Sequence, residues 1–479
     1  MKTFSMKCMA ALLVLLLCVA CTNTSRYVNV IPKDTPMVLS VNLYSLGEKS
    51  SLKDYKGMID MGLLQLQKEV GDEAYRQLKQ IVDDPSSLGI VLEEPMYIFA
   101  TSSINGGGAV MKVSDGESLK DLLRKLIQQE PSMDVEEDGN RLWISMDGLQ
   151  VVADNELLLL TVFMEKESVE RLLGQTSEQS FQSTDAWSLL AEMKGDLRGV
   201  VAQDELMKMS GMEQASQIYK QMGIDMSGMC TAYGIDFLPG KVVTCGKSIV
   251  SDKMKEFQEK VCRKVDGAFL KKMPANPMLW LTIGLDGVEM YKFIDKIANQ
   301  LDQGTETVLT QAKPYIESID GELSFAINNV GASMSLLPEF TLYAEVKNAD
   351  WVHQIQQMQG LGMSIGLIND RVFYATTNKT ISANPGEDIT PSLAEASWAG
   401  KVDGAYSFMV MESEPLKPLV DLLVPEPVKN RMVNQLLEDI EGFEMEATSL
   451  DKAEYTLYLK NKDVNALAQM IQLCVKMAL

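Results

Sequence analysis

The feature that most constrains this chain is a local order met four times. A strand gives way to a capping residue, and the cap opens an amphipathic helix. The four junctions are Val113-Ser114-Asp115, Val250-Ser251-Asp252, Val346-Lys347-Asn348 and Leu459-Lys460-Asn461. Ser, Asp and Asn accept hydrogen bonds from the free amides at a helix start, so each junction marks where a strand ends and a helix begins. The helices keep an apolar stripe at three–four spacing, as in Leu119, Leu122, Leu123, Leu126 and Ile127, and again in Val464, Leu467, Ala468, Ile471 and Val475. Hairpins precede them. Residues 96–103 turn at Asn105-Gly106-Gly107-Gly108 into 109–113, and Ile235-Asp236-Phe237 turns at Pro239-Gly240 into 242–245. Asn and Gly supply the positive backbone angles that tight turns need. A strand followed by helix comes before each hairpin, at 38–43, 199–202, 279–285 and 406–411. The unit reads strand, helix, hairpin, helix, which is most of a ferredoxin-like module with helices on one face of an antiparallel sheet. The expected fold class is α+β. Extra strands at 142–162 and 366–376 follow the first and third units, and a turn at Asp147-Gly148 makes the first of these an inserted β-hairpin.

The same motifs recur in the same order, which points to a tandem duplication. Ile31-Pro32 leads through Pro36-Met37 to Ser40-Val41-Asn42-Leu43, and Met273-Pro274 leads through Pro277-Met278 to Thr282-Ile283-Gly284-Leu285. Trp187 precedes Lys194-Gly195-Asp196 as Trp398 precedes Lys401-Val402-Asp403-Gly404, and Cys262 ends one stretch as Cys474 ends the other. The expected organisation is two α+β halves, 27–267 and 268–479, each of two ferredoxin-like units. They meet at the basic, proline-punctuated Lys271-Lys272-Met273-Pro274.

Ahead of these halves stands an address. Lys2 and Lys7 precede an apolar run through Ala20, and Val19-Ala20-Cys21 is followed by polar Thr22-Asn23-Thr24-Ser25. This is a secretory signal over residues 1–20 with a lipoprotein-type cleavage site, and Cys21 is the residue expected to take the lipid. Residues 21–26 form a tether. The run is too short for a spanning helix, which needs roughly 20 apolar residues.

The balance is acidic, with 66 Asp and Glu against 44 Lys and Arg. Loss of Lys2 and Lys7 with the signal takes the formal charge from −22 to −24. Such a surface repels nucleic acid. The single histidine, His353, lies in a helical pattern just after a strand, which leaves no imidazole cluster for a metal and no centre for a Ser-His-Asp triad. Neither a cofactor nor a metal is expected. Gly246-Lys247-Ser248 lacks phosphate-loop spacing and sits in strand material. Asp134, Glu136, Asp138, Gly139 and Asn140 lack the closing glutamate of a calcium loop, since Ser145 stands there, and read as a hairpin turn.

Four cysteines follow Cys21. Cys262 and Cys474 read as core thiols, while Cys230 and Cys245 flank the Pro239-Gly240 turn and could bridge across the hairpin. Methionine is abundant at 31 residues, and Met207, Met209, Met212, Met222, Met226 and Met229 gather in one segment. Flexible thioethers fill cores or make adaptable contact surfaces, so this segment is a candidate contact region.

With the Cys21 box and the opening Ile31-Pro32-Lys33-Asp34, running into Val41-Asn42-Leu43 and Lys49-Ser50, the chain resembles the Bacteroidales lipoproteins that carry a domain of unknown function. The resemblance implies an envelope location and brings no catalytic residues. In that group an acidic run after the lipidated cysteine tends to direct export to the cell surface. Thr22-Asn23-Thr24-Ser25-Arg26 has none, which implies the periplasmic face of the outer membrane. Two functions of different class follow. One is a lipid-anchored, non-catalytic binding or scaffold protein with an envelope protein or glycan as partner. The other is a glycan-active hydrolase working through carboxylates. A cleft holding two close acids without basic partners would favour the hydrolase. An exposed apolar or methionine-rich groove would favour the binder.

Overall fold

A computed structural model describes residues 26–478, apart from 102–105, 128–132, 210–218, 221–223, 299–302, 330–337, 357–361, 419, 421–423 and 425. The chain divides into two compact units, one holding residues up to Leu43 with Tyr55–Ser188, the other Tyr44–Asp54 with Leu189–Leu479.

The first unit is an antiparallel sheet with helices. Its strands are β1 (Met37–Val41), β2 (Met96–Ala100), β3 (Gly107–Lys112), β4 (Asp134–Asp138), β5 (Arg141–Met146), β6 (Leu149–Ala153) and β7 (Leu157–Val162). They pair in the order β1-β2-β3-β7-β6-β5-β4. The helix Gly116–Ile127 buries Leu119 and Leu122, the head of the stripe read from sequence. Leu119 packs with Leu142, Ile144, Val151 and Ala153 of the β5–β6 hairpin, and Leu123 and Ile127 of the same stripe pack against that cluster. Asp147-Gly148 is the turn of that hairpin, and Asp134–Asp138 pairs with Arg141–Met146 as a plain hairpin.

The second unit holds β8 (Leu197–Ala202), β9 (Cys230–Leu238), β10 (Lys241–Ile249), β11 (Cys262–Arg263), β12 (Leu279–Asp286), β13 (Ile319–Asn329), β14 (Glu339–Val346), β15 (Ser364–Ile368), β16 (Val372–Thr376), β17 (Ser407–Glu412), β18 (Ile440–Ser449) and β19 (Lys452–Leu459). Its sheet runs β8-β9-β10-β19-β18-β17-β12-β13-β14-β16-β15, antiparallel throughout, with β11 also paired to β12. Residues 322, 324 and 326 of β13 are buried while their neighbours are half-exposed, the period-two signature of a sheet with one covered face. Under that face Trp280 stacks on Trp398 at 5.0 Å, and Phe269 stacks on Tyr343 at 5.2 Å.

This architecture corrects the expected fold. The class, helices with antiparallel sheet, is as read, but among the described residues the chain is not a tandem duplicate of ferredoxin-like units. A ferredoxin-like unit closes its own four-stranded sheet. Here β10 bonds to β19 over seven residue pairs, from Lys241↔Tyr458 to Lys247↔Lys452, so one sheet runs through the expected joint at 267/268. The helices explain why. One helix between two strands gives a parallel crossover. Between β12 and β13 the chain forms two helices, Gly287–Ala298 and Gln303–Ser318, and returns to pair antiparallel with the strand it left. Between β1 and β2 the helix Lys56–Asp83 breaks at Gly71 (φ 80°), and the outcome is the same. Among the described residues no helix is long and apolar enough to cross a membrane.

Candidate functional site

The cleft with the richest chemistry in the second unit has a volume of about 480 Å³ and opens where β17 ends, β18 begins and β19 finishes. Close backbone approach shapes its floor. Glu412 and Gly442 are cross-strand partners, and a Cβ at Gly442 would stand 2.8 Å from the Met411 carbonyl oxygen, so only glycine fits. Trp398, buried against Trp280 and Phe408, anchors the short turn Ala399–Lys401 on one wall.

From that anchor Lys401 donates to Glu444 Oε2 at 2.6 Å, and Tyr458 Oη donates to the same oxygen at 3.0 Å. Lys460 and Lys417 both donate to Glu414 Oε1, each at 2.9 Å. Lys462 pairs with Glu441, and its ammonium lies 5.2 Å from the centre of the Tyr458 ring. Burial works against the charge on Lys401, yet its hydrogen bond and attraction to Glu444 outweigh it and raise its pKa. Burial and the nearby Glu444 charge raise that of Tyr458. Hydrogen bonds from Lys460 and Lys417 hold the Glu414 carboxyl below its ordinary range. Glu412 behaves differently. Burial, then repulsion from Glu441, pushes its carboxyl up, and among the described residues no side chain donates to it or pairs with it. The cleft thus offers three lysine–glutamate pairs, aromatic surface from Phe443 and Tyr458, and one carboxyl without a partner.

Two deeply buried carboxylates lie elsewhere in this unit and hold backbone in place. Asp196 accepts from Ser45 Oγ at 2.5 Å, from Lys49 Nζ at 2.8 Å and from the Phe237 amide at 2.9 Å, and Lys49 also reaches Asp236 at 2.6 Å. Burial opposes its ionisation, but the bonds from Lys49, Phe237 and Ser45 prevail and lower its pKa. Glu322 Oε2 accepts from the amides of Asp266, Gly267 and Ala268 at 3.2, 2.9 and 3.3 Å, and Oε1 accepts from Thr282 Oγ1 at 3.0 Å. No cation joins it among the described residues, and burial raises its pKa despite those bonds.

The residues singled out from sequence are placed elsewhere. Cys21 lies outside the described residues, as do Met212 and Met222. The remaining methionines do not form one surface. Met226 and Met229 are buried in a cluster with Ile224, Met207 packs against it half-buried, and Met209 is 46% exposed. Cys230 is buried and Cys245 half-buried, and no disulfide joins them. Cys230 faces Ile249 and Cys245 faces Gly234, which puts the two cysteines four ladder positions apart, roughly 13 Å along the strands. A disulfide needs Cα atoms within about 7 Å, so the bridge across this hairpin does not form. Cys474 is exposed rather than in the core, Cys262 is half-buried, and His353 is exposed on the helix Trp351–Gln356. Among the described residues no group of three acids, cysteines or histidines could hold a metal ion.

Sequence reasoning assigned none of the cleft's residues to a site, although Trp398 stood out in the repeated order. Lys401 and Lys460 were noticed only as punctuation, next to a tryptophan and at a strand end. The glutamates of β17 and β18 come together by strand pairing across some 30 residues of chain, which no spacing rule detects.

Comparison with known proteins is sparse. Crystal structures of the protein TP0453 show weak overall similarity. Form I is 8% identical, covers 49% of this chain and 81% of its own, and has a TM-score of 0.27. Form IV is 9% identical over 75% and 96%, with a TM-score of 0.23. Form III is 10% identical over 76% and 99%, with a TM-score of 0.19. No curated protein matches the chain. A family model does, over residues 27–367 and 356–467. The chain therefore belongs to the family described as the domain of unknown function DUF4836.

Proposed function

We propose that this protein is a lipid-anchored envelope lipoprotein, held through Cys21 at the periplasmic face of the outer membrane, and that it works by binding a ligand in the cleft of β17, β18 and β19 rather than by catalysis. The observation that carries the binding reading is the pairing inside the cleft. Glu414, Glu441 and Glu444 each hold a lysine. Hydrolysis through carboxylates needs one acid that gives its proton to the leaving group and a second carboxylate free to act as base or nucleophile at the same bond. Three of the four acids here are committed, and what remains is a preformed pocket of polar and aromatic groups. The anchor reading rests on the run from Lys2 to Ala20 before Cys21. A Cys21→Ala variant is expected to leave the membrane fraction, and undiminished retention there contradicts the anchor.

One observation favours the hydrolase as second reading. Glu412 keeps its proton to higher pH than an ordinary glutamate, as a general acid must, and Glu441 acts on it. Crosslinking in intact envelopes beside a panel of glycosidase and esterase substrates separates the two. A stable crosslinked partner without turnover fits binding. Turnover lost in Glu412→Gln establishes the hydrolase.

A further inference from the structure

We infer that the ligand of this cleft presents an organic ammonium group, which docks on the Glu412 carboxylate. This rests on the reading of the cleft as a binding site. The argument is one of charge left over. The cleft is lined by three lysines and four glutamates, and each lysine already holds a glutamate within hydrogen-bond reach. An anionic ligand would have to pull a lysine from its partner, leaving a carboxylate unpaired. Glu412 has no partner of its own among the described residues, and Glu441 is near enough to repel it. A positive ligand group relieves both conditions at once and breaks no existing pair.

The cation is an ammonium rather than a metal ion. A hard cation needs several oxygen ligands converging on one point, and no group of three candidate ligands exists among the described residues. An ammonium needs only one or two acceptors and tolerates an apolar stem. The stem has a surface to lie on. Phe443 and Tyr458 line the cleft half-buried, and the Lys462 ammonium over the Tyr458 ring shows that this wall accepts a cation on an aromatic face.

The test uses the full chain with 13C-labelled methionine methyls. Met411 lines the cleft and reports occupancy; its signal is assigned by Met411→Leu. The probes are n-butylammonium, butan-1-ol and butyrate at equal ionic strength. The expected result is a Met411 shift that saturates at roughly tenfold lower concentration with butylammonium than with butanol, as one charge-assisted hydrogen bond provides, and no shift with butyrate. Glu412→Gln should erase that preference and Glu441→Gln should reduce it, with the other methionine signals unmoved. Equal shifts from butanol or butyrate, no shift from any probe, or a preference surviving in Glu412→Gln would overturn the inference. The binding reading fails by a different route, through turnover in the substrate panel, whatever these shifts show.

Discussion

Asp196 and Glu322 make an instructive pair. Each is a carboxylate buried in the same unit, and each follows a glycine with a left-handed backbone, Gly195 at φ 133° and Gly321 at φ 137°. In both places the glycine lets the chain turn its acid inward. A Cβ at Gly195 would stand 2.5 Å from the Ile235 carbonyl oxygen, and one at Gly321 would collide with the Glu345 carboxylate. The partners differ. Asp196 has a lysine, while Glu322 has three backbone amides and a hydroxyl. Burial opposes charge at both. At Asp196 the bonds from Lys49, the Phe237 amide and Ser45 together outweigh it, while at Glu322 the amides and the hydroxyl do not, so the Asp196 pKa falls and the Glu322 pKa rises. Oriented amides satisfy a buried carboxyl without keeping it ionised as firmly as an ammonium does.

Replacing each acid by its amide should break the symmetry most visibly. Asp196→Asn strips Lys49 of its closest buried partner, and because Asp236 still holds that lysine the expected loss is about 3 kcal/mol, at the lower end for a broken buried pair. Chemical denaturation followed by tryptophan fluorescence measures it. Next comes Gly321→Ala, expected to cost about 2 kcal/mol through left-handed strain and the Glu345 clash in the same assay.

Glu322→Gln should cost at most about 1 kcal/mol, because the amide oxygen can still accept from the 266–268 amides. Its clearer signature is in pH. The folded pKa of Glu322 lies above the ordinary 4.5, so its contribution is fully present below 4.5 and is lost as pH rises through the folded value. Glu322→Gln should flatten that decline. Asp196 runs the other way, with a folded pKa below the ordinary 3.8. Its contribution is present above 3.8 and is lost as pH falls through the folded value, so Asp196→Asn flattens the acid limb instead. Equal pH profiles for the two variants would refute the assigned difference. Lys401→Met should change stability least, by about 0.5 kcal/mol, since that lysine is 45% exposed and its pair with Glu444 is partly screened.

Much of this was legible locally. The hairpin turns at Asp147-Gly148 and Pro239-Gly240 and the amphipathic stripe from Leu119 all appear where composition and period place them, because each is decided within a few residues. The β10–β19 pairing was not legible. It joins residues some 210 apart, and nothing in either strand's alternation names its partner. The buried acids escaped for a related reason. Glu322 carries no motif of its own, and only the fold brings the 266–268 amides onto it. The cleft is made the same way, from strand ends that sequence places far apart.

The same contrast, a carboxylate with a cation against one without, decides what the cleft does. Glu414, Glu441 and Glu444 resemble Asp196 in holding lysines, and Glu412 stands apart from them. The most direct measurement is therefore turnover by the wild-type protein and by Glu412→Gln against the glycosidase and esterase panel. The predicted result is no turnover by either. Turnover by the wild type that disappears in Glu412→Gln would contradict the account and make the cleft an active site.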